Sequence, residues 1–474
     1  MSGRTQQVVE AIRARIGGKS LAPGEKLPSV RRLAREMAAS PSTVVDAYDR
    51  LVNEGLVHAR PGSGFYVSAA RTPPPLAVAE PRRDRAIDPL WVSRQALDAG
   101  AGAFTPGCGW LPADWMPLDS LRRALRHAAR GPDAAIAEYG GTQGPLALRA
   151  LLARRLAGQG LDVGPDRVLL TASGTEAIDL VCRSLLNPGD TVLLDDPCYF
   201  NFQALLRAHR ATIVSVPYTP AGPDPVAFAA AVEAHRPRLY ITNSALHNPT
   251  GATLSPQVAH KLLLAAAGCG MTIVEDDIFS EFEPEPSPRL AALDGLASVI
   301  RIGSFSKTVS ASLRCGYIAA SAEHIDALVD LQVATRFGGP SPVTAHALLA
   351  VLGDGAYRRH LDQLRRRLAT ARVEAAERLS SVGITPWIMP RGGFYLWCRL
   401  PAGCDAAALA RSALADGVVL APGNVFSPTE SAPDFMRFNV AHLEDPRVLA
   451  TLARHIAAAP RDAGIVASAS VSAR

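Results

Sequence analysis

Lysine is scarce in this chain of 474 residues, which contains 45 arginines but only Lys19, Lys26, Lys261 and Lys307. Lys307 follows a strand-like apolar run and lies between two residues with hydroxyl groups. Arginine cannot lose its proton and so cannot attack a carbonyl group, whereas a lysine amine can. A solvated loop lysine is the ordinary alternative, but the scarcity makes Lys307 a candidate for covalent chemistry.

Small and aromatic residues follow two earlier strand-like runs. Gly174 and Thr175 lie where a run ends and a helix begins, and backbone N–H groups at such a turn can hold a phosphate. Tyr199 follows the next run, at the edge of an open α/β sheet where ligands bind, and its ring could stack on a flat ligand. An ordinary turn and a packing tyrosine are the alternatives for each motif taken alone.

Polar groups follow three further runs. Asn248 lies in an Asn-Pro-Thr-Gly turn, Asp276 is the second of three consecutive acids, and Ser304 and Ser306 precede the rare lysine. Each has a structural alternative, as a turn residue or a helix cap. Together they suit pyridoxal 5′-phosphate (PLP), because its aldehyde binds a lysine amine and its ring nitrogen needs a carboxylate partner. Serines and an arginine such as Arg314 would hold the phosphate.

The elements that must position these groups follow from the apolar pattern. Residues 94–460 alternate short apolar runs with longer helical stretches, which predicts βαβ units and an α/β fold with a mostly parallel sheet. Residues 69–93 include three consecutive prolines and predict a linker, and residues 461–474 predict a flexible tail. The predicted strands are Val168–Thr171, Thr191–Leu194, Thr212–Val216, Leu239–Thr242, Thr272–Glu275 and Val299–Ile302.

The first 68 residues differ from the rest in charge. They carry ten lysines and arginines against six acids, whereas the other 406 residues carry 39 against 38. This surplus indicates a polyanionic partner, although a solvated helical surface also explains it. Three helix patterns and a hairpin predict a winged helix-turn-helix, with Ser29 and Ser40 as N-caps of the second and third helices.

The DNA-binding interpretation places the start of the third helix in the major groove. Ser42 and Thr43 would project there, while Arg31, Arg32 and Arg60 would contact the DNA backbone or groove edges. The alternative is a small three-helix interaction domain whose arginines are only solvated.

Composition excludes several other classes. Apolar residues make up 48% of the chain, which excludes global disorder. No apolar run approaches the roughly 18–20 residues of a membrane span, and Met1–Glu10 lacks an apolar signal core, so we expect a cytoplasmic protein. The seven scattered cysteines form no Cys-x-x-Cys pair and predict free thiols without a metal site.

Residues 1–68 resemble the GntR-type winged helix. The matching segments are Leu27–Ala34, Ser42–Val44, Ala47–Tyr48, Leu51, Glu54–Leu56 and Arg60–Gly64. The resemblance implies operator DNA as a partner, with Gly62 in the wing. Relatives often carry arginine at the position of Pro41, so this chain could lack one contact to a base or a phosphate.

Residues 94–460 resemble fold-type I aminotransferases of the class I/II group. The resemblance implies that Lys307 binds the coenzyme aldehyde and acts as general acid and base, that Asp276 pairs with the pyridinium, and that Asn248 contacts the ring hydroxyl oxygen. It also implies that Tyr199 stacks on the coenzyme ring and that Arg437 binds an α-carboxylate. The residues that would bind the phosphate are Thr175, Ser304, Ser306 and Arg314, with the backbone near Gly174 and Glu176. Tyr139 would contact the phosphate in the neighbouring subunit.

Two departures from that family affect the site. Relatives have a tyrosine shortly after the pyridinium aspartate, whereas this chain has Ile278 and Phe279, and losing the phenol should alter the pKa of the coenzyme linkage. Glu176 stands where related regulators tend to have glutamine. A phosphate would repel its carboxylate, so we expect the side chain to point away.

The order of winged helix, linker and aminotransferase-like domain resembles the MocR subfamily of GntR-type regulators. It implies a homodimeric transcription factor that senses PLP, or an amine or amino acid that reacts with it. One alternative is an aminotransferase with an accessory DNA-binding module, and another is an interaction protein with an inactive cofactor fold. Turnover at ordinary enzyme rates of roughly 1–10³ per second without promoter binding would favour the enzyme.

Overall fold

The computed structural model describes residues 3–18, 20–68, 87–100 and 102–458. These residues fall into two compact units, an N-terminal unit of residues 3–68 and a large unit of residues 87–458. Residues 69–86 of the predicted linker and all of the predicted tail lie outside the described residues.

The N-terminal unit contains the three helices and the hairpin that the sequence predicts. Ser29 and Ser40 cap the second and third helices by accepting from the backbone N–H groups of Arg32 and Thr43, and Pro41 occupies the first helical position. The elements are α1 (Arg4–Gly17), α2 (Val30–Glu36), α3 (Pro41–Asn53), β1 (Val57–Arg60) and β2 (Gly64–Val67).

This unit has its own apolar core. Val8, Val9 and Ile12 of α1 pack with Val44 and other apolar side chains of α3, all spaced at helical intervals. β1 and β2 pair in antiparallel register to form the wing. The winged helix-turn-helix prediction is therefore confirmed.

The large unit combines helices with two sheets. Its helices are α4 (Trp91–Leu97), α5 (Leu118–Ala128), α6 (Asp133–Ala137), α7 (Leu146–Ala157), α8 (Gly174–Leu185), α9 (Phe200–Ala208), α10 (Pro225–His235), α11 (Pro256–Cys269), α12 (Leu290–Asp294), α13 (Ala322–Arg336), α14 (Pro342–Gly353), α15 (Gly355–Ser380), α16 (Ala406–Ala415) and α17 (Pro446–Ala458). Its strands are β3 (Val168–Thr171), β4 (Thr191–Asp196), β5 (Thr212–Thr219), β6 (Gly222–Pro223), β7 (Leu239–Thr242), β8 (Thr272–Asp276), β9 (Val299–Ser304), β10 (Gly316–Ala319), β11 (Thr385–Pro386), β12 (Tyr395–Arg399), β13 (Ala421–Pro422) and β14 (Phe435–Asn439). Short 3₁₀ helices cover Ala113–Trp115, Pro165–Arg167, Ser280–Phe282, Gly423–Phe426 and Val440–His442.

The larger sheet has the strand order β3-β10-β9-β8-β7-β4-β5-β6. β5, β4, β7, β8 and β9 pair in parallel. β4, β7, β8 and β9 are mostly apolar and buried, whereas β5 is only partly buried. β10 runs antiparallel to both of its neighbours, β9 and β3. The prediction of an α/β fold with a mostly parallel sheet is confirmed.

The smaller sheet is antiparallel, with the order β11-β12-β14-β13. It belongs to a second apolar cluster that includes residues of α15, α16 and α17. Trp91 and Val92 of α4 are buried in this cluster. The predicted linker therefore extends too far at its C-terminal end, because residues 91–93 begin a packed helix of the large unit.

Candidate functional site

Four of the residues singled out from the sequence lie at one edge of the larger sheet. Tyr199, Asn248, Asp276 and Lys307 follow or end β4, β7, β8 and β9, and the carboxyl ends of parallel strands meet at the same edge. Tyr199, Asn248 and Lys307 line a cavity there, together with Arg437 from the smaller sheet. The cavity thus joins side chains from both sheets.

Lys307 lies in the loop after β9, and its Nζ donates a hydrogen bond to the carbonyl oxygen of Gly109 at 2.6 Å. Burial lowers the pKa of Lys307 to about 8, and the positive charge of Arg437 acts in the same direction. An amine with that pKa is about one-tenth neutral at pH 7, and the neutral form attacks an aldehyde.

The three consecutive acids at the end of β8 have different surroundings. Glu275 accepts from two backbone N–H groups at the start of α12. Asp277 accepts from Arg289 Nε at 2.8 Å and also pairs with Arg301. Asp276 is equally buried, but its Oδ1 has no hydrogen-bond partner among the described residues. Only Asp276 is therefore available to a ligand.

Burial raises the pKa of Asp276 to about 7, while Lys307 favours the charged form. A protonated ring nitrogen would give Oδ1 the donor that it lacks and would stabilise the carboxylate. The residues present at this point therefore fit the pyridine ring of PLP.

Arg437 is buried in β14 and is anchored by two of its three nitrogens. Nη1 donates to Asn248 Oδ1 and Nη2 donates to the Gly107 carbonyl oxygen, both at 2.8 Å. The Nε atom has no partner among the described residues, which suits a carboxylate ligand. Asn248 Oδ1 already accepts from Arg437. The amide nitrogen of Asn248 can donate to a ring oxygen.

Tyr199 follows β4 and packs its ring against Phe200 and Phe202, with centroid distances of 4.9 and 5.4 Å. Burial raises the pKa of its phenol to about 12, so the side chain is neutral at physiological pH. A neutral aromatic ring in the cavity wall can stack on a flat ligand.

The predicted phosphate-binding residues lie near the start of α8. Gly174 opens this helix, and a Cβ atom placed on it would lie 3.4 Å from Ser304 Cβ. Ser304 Oγ in turn lies 3.1 Å from Ser306 Oγ. Thr175 and Arg314 are exposed. Hydroxyl groups and a helix N-terminus thus come together, as phosphate binding requires.

Glu176 is held back by partners within the chain. Its Oε2 accepts from the Ala172 N–H at 2.6 Å, and its Oε1 pairs with Arg336 Nε at 2.7 Å. Burial raises the pKa of Glu176, although Arg336 opposes this effect. The backbone N–H of Glu176 donates to the side chain of Ser173, the N-cap of α8. The resemblance instead implies that the backbone near Glu176 binds phosphate.

Tyr139 does not line the cavity of its own chain. Its side chain is 82% exposed and stacks on Phe337, which is 69% exposed, with a centroid distance of 5.5 Å. Two stacked aromatic rings at the surface are typical of a contact with another chain.

Several cavity residues carry no signal that sequence reasoning used. A Cβ atom on Gly109 would lie 3.4 Å from Tyr395 Oη and 3.9 Å from Lys307 Nζ. Tyr395 of β12 lines the same cavity as Lys307, so the cavity has a phenol although none closely follows Asp276 in the sequence. Gly107 and Gly109 act through their backbone carbonyls, which no side-chain pattern in the sequence indicates.

The predicted DNA-contacting residues of helices α2 and α3 are accessible. Arg31, Arg32 and Ser42 are exposed and Thr43 is half-buried. Arg32 Nε donates to Glu36 on the same helix at 2.7 Å. Ser42 is hydrogen-bonded within the helix start, to the Ser40 side chain at 2.8 Å.

The wing carries a second basic group. The guanidinium of Arg60 lies over the Tyr66 ring, 4.7 Å from its centroid, and Lys26 Nζ lies 5.9 Å from the same centroid. Gly62 at the wing tip has a φ of 72°, which a glycine adopts without strain. Two cations around one tyrosine of the wing suit a polyanion.

Residues 112–456 match the aminotransferase class I and II family, and residues 4–67 match the gntR family of bacterial regulatory proteins. Among similar proteins are the HTH-type transcriptional regulator YdcR of Escherichia coli (strain K12), 32% identical across 92% of this chain and 94% of that protein, and the HTH-type transcriptional regulator NorG of Staphylococcus aureus (strain COL), 25% identical across 86% of this chain and 94% of that protein.

Solved structures are similar in the large unit. The α-aminoadipate aminotransferase LysN of Thermus thermophilus, complexed with N-(5′-phosphopyridoxyl)-L-leucine, superposes with a TM-score of 0.70 at 26% identity, covering 77% of this chain and 95% of that protein. An archaeal alanine:glyoxylate aminotransferase at 24% identity gives a TM-score of 0.71, over 77% and 93%, and shares the fold. Within the described residues, no helix has the length and apolarity that a membrane crossing requires.

Proposed function

Because this chain belongs to the GntR-type transcriptional regulators that carry an aminotransferase class I and II domain, the arrangement of the MocR subfamily, we propose that its large unit binds PLP covalently through Lys307 and that an amine or amino acid ligand controls its binding to operator DNA. The single observation that carries the coenzyme proposal is the buried, unpartnered Oδ1 of Asp276, whose carboxylate acts electrostatically on the Lys307 amine.

When bound, PLP supplies an aldehyde that condenses with amines and a ring that withdraws electrons. Lys307 offers an amine with a lowered pKa, and the Gly109 carbonyl orients it. Asp276 would accept a hydrogen bond from the ring nitrogen, the Asn248 amide would donate to the ring oxygen, and Tyr199 could stack on the ring.

The phosphate would lie at the start of α8. Exposed Arg314 supplies the cationic partner, and Thr175, Ser304 and Ser306 supply hydroxyl donors near Gly174. We propose that the chain forms a homodimer in which the exposed Tyr139 reaches the phosphate of the neighbouring subunit.

Arg437 would select ligands that carry a carboxylate. Its Nε is the unpartnered donor in a buried guanidinium, and a carboxylate there satisfies it. An amino acid would then present its amine towards Lys307, because both residues line the same cavity.

The DNA-binding part of the proposal assigns contacts to the N-terminal unit. Ser42 and Thr43 at the start of α3 read the major groove, Arg31 and Arg32 contact phosphates, and the wing contacts the backbone through Arg60 and Gly62. Because operator DNA would be its partner, we propose that the protein is cytoplasmic. Two copies per dimer suit two half-sites.

The coenzyme assignment is tested with Lys307→Ala, and exposed Lys261 of α11 provides the control Lys261→Ala. PLP is added to the full-length proteins, and borohydride then fixes any imine for mass spectrometry. We expect wild type and Lys261→Ala to gain a visible absorbance band and a labelled Lys307, and Lys307→Ala to gain neither. An unchanged band in Lys307→Ala would show that another amine forms the linkage.

Control of DNA binding is tested in the same preparations by gel shift on the upstream intergenic region, with and without PLP and candidate amines. We expect the ligand to change the affinity of wild type but not of Lys307→Ala. If PLP and amines leave the wild-type affinity unchanged, the regulatory part of the proposal is wrong.

A further inference from the structure

Helix α4 forms one wall of the cavity that Lys307 and Arg437 also line. Val92, Ser93 and Ala96 of this helix line the cavity, and their spacing puts them on one helical face. Val92 and Ala96 are buried, whereas Ser93 is half-buried. No part of the proposed function assigns a role to this face of α4.

α4 is held beside the two groups that would bind the ends of an amino acid. Ala96 packs in one apolar cluster with Cys108. The carbonyl oxygens on either side of Cys108 in the chain accept from Arg437 Nη2 at 2.8 Å and from Lys307 Nζ at 2.6 Å. A ligand that lies between Arg437 and Lys307 therefore has α4 as a neighbour.

The wall near Arg437 is aromatic. The guanidinium carbon of Arg437 lies 4.2 Å from the ring centroid of Tyr395 and 6.0 Å from that of Phe200. Both residues line the cavity, as does Trp110. A ligand side chain that leaves the α-carbon here would meet apolar surface, which favours apolar groups.

Charge in the cavity wall is limited. Among the described residues that line the cavity, Lys307 and Arg437 are the ones with a charged side chain, and both are cations. In the proposed function, Lys307 is bound to the coenzyme and Arg437 holds the α-carboxylate. A second carboxylate or ammonium group in the ligand would be buried in this wall without a charge of its own to pair with, which is unfavourable.

We propose that the amino acid bound in this cavity has an uncharged, apolar side chain, which lies against Val92 and Ala96 of α4. This assignment rests on the proposed function, since it takes the α-carboxylate at Arg437 and the amine near Lys307 as given. It names the ligand class of that site, which excludes dicarboxylic and dibasic amino acids.

The test compares three amino acids with five carbon atoms that differ at the last carbon. L-Norvaline ends in a methyl group, L-glutamate in a carboxylate and L-ornithine in a carbon that carries an ammonium group. The full-length protein is used with PLP fixed by borohydride, so that an added amine binds without reacting. In isothermal titration calorimetry, we expect norvaline to bind at least about tenfold more tightly than glutamate or ornithine.

Two variants of Ser93 separate charge from size. Ser93→Arg adds a cation to the wall, so glutamate should bind at least about tenfold more tightly than it binds to wild type. Ser93→Met adds a long side chain without charge and should leave glutamate binding weak. Equal gains in both variants, or no gain in Ser93→Arg, would remove α4 from the wall that contacts the ligand.

The wild-type comparison needs no variant. Glutamate or ornithine binding as tightly as norvaline would overturn the assignment, and so would a protein that binds none of the three. If PLP is fixed at Lys307 but glutamate equals norvaline, the coenzyme proposal stands and the ligand class is wrong.

If no PLP is fixed, the coenzyme proposal fails and the ligand class is still tested. Norvaline and ornithine are then compared in the coenzyme-free protein, because the free cation of Lys307 would attract glutamate there. Tighter binding of norvaline would support the apolar class, and equal binding would overturn it.

Discussion

Asp276 costs the folded protein stability whenever it is charged and no ligand is bound. Its Oδ1 is buried without a partner among the described residues, and burial raises its pKa to about 7 from an unfolded value near 4. Because the folded state binds this proton more tightly than the unfolded state, protonation of Asp276 stabilises the folded protein. This stabilisation is complete below about pH 4 and is lost as the pH rises to about 7. The site is thus less stable at neutral pH before a cation arrives.

In the coenzyme-free protein, we expect Asp276→Asn to raise the free energy of unfolding at pH 8 by a few kcal/mol and to have a much smaller effect at pH 5. The amide does not ionise, so it avoids the cost of a buried charge. Urea unfolding followed by tryptophan fluorescence measures this in the large unit, since all five tryptophans lie after residue 90.

Asp277→Asn is the matched control for that experiment. This substitution replaces the carboxylate that pairs with both Arg289 and Arg301 by an uncharged amide. It should therefore destabilise the large unit at both pH values. If Asp276→Asn also destabilised the coenzyme-free protein at pH 8, Asp276 would have a structural partner and would not be the acid reserved for a ligand.

At the scale of the elements, continuous apolar runs made the parallel strands predictable. β3 and β7 have their predicted bounds, and β4, β5, β8 and β9 begin where predicted but extend one to three residues further. β10 and most of the smaller sheet were missed, because their pairing depends on contacts distant in the sequence and not on local periodicity. Arg437 lies in β14, one of the strands that were missed.

The same limit applies to the candidate site. Residues that follow parallel strands could be placed at one edge from the sequence, as Tyr199 was. The contacts of Gly107 and Gly109 could not, because Arg437 and Lys307 reach them across 330 and 198 positions of the chain. A backbone carbonyl carries no side-chain pattern that would indicate such a contact.

The Ser40 side chain caps the start of helix α3, the end that we propose contacts DNA. Ser40 Oγ accepts from the Thr43 N–H at 3.1 Å. We expect Ser40→Ala to weaken the protection of the first α3 amides against hydrogen exchange by about 1 kcal/mol, because an N-cap of this type contributes about that much. Hydrogen exchange with mass spectrometry measures the effect locally.

Ser42→Ala separates capping from recognition. Ser42 is exposed, and Ser40 keeps its own bond from the Thr43 N–H without it, so this variant should affect the protection of the α3 amides less than Ser40→Ala does while it lowers DNA affinity. Equal protection in Ser40→Ala and wild type would mean that the Ser40 hydroxyl contributes nothing to the start of the helix.

At the scale of the whole molecule, the two units differ in charge. Residues 1–68 have four more cationic than acidic side chains, whereas the rest of the chain has one more. Counterion release makes binding to DNA weaken as the salt concentration rises, with a slope set by the number of phosphates that the protein neutralises.

We expect Arg31→Ala to weaken DNA binding and to reduce the slope of log K against log salt by about 0.9 per subunit, the contribution of one phosphate contact. Fluorescence anisotropy with operator DNA at several salt concentrations measures the slope. Arg122→Ala, at an exposed position of α5 in the large unit, should leave it unchanged. A slope that Arg31→Ala does not alter would remove Arg31 from the phosphate contacts.

Arg437 has only one nitrogen without a partner among the described residues, and this has a stereochemical consequence. A carboxylate that binds at Nε while the ligand amine faces Lys307 fixes two of the four substituents of the ligand α-carbon. The hydrogen atom and the side chain must then point to opposite walls of the cavity. Mirror-image amino acids would exchange these two positions, so the binding mode that we propose would make the cavity handed.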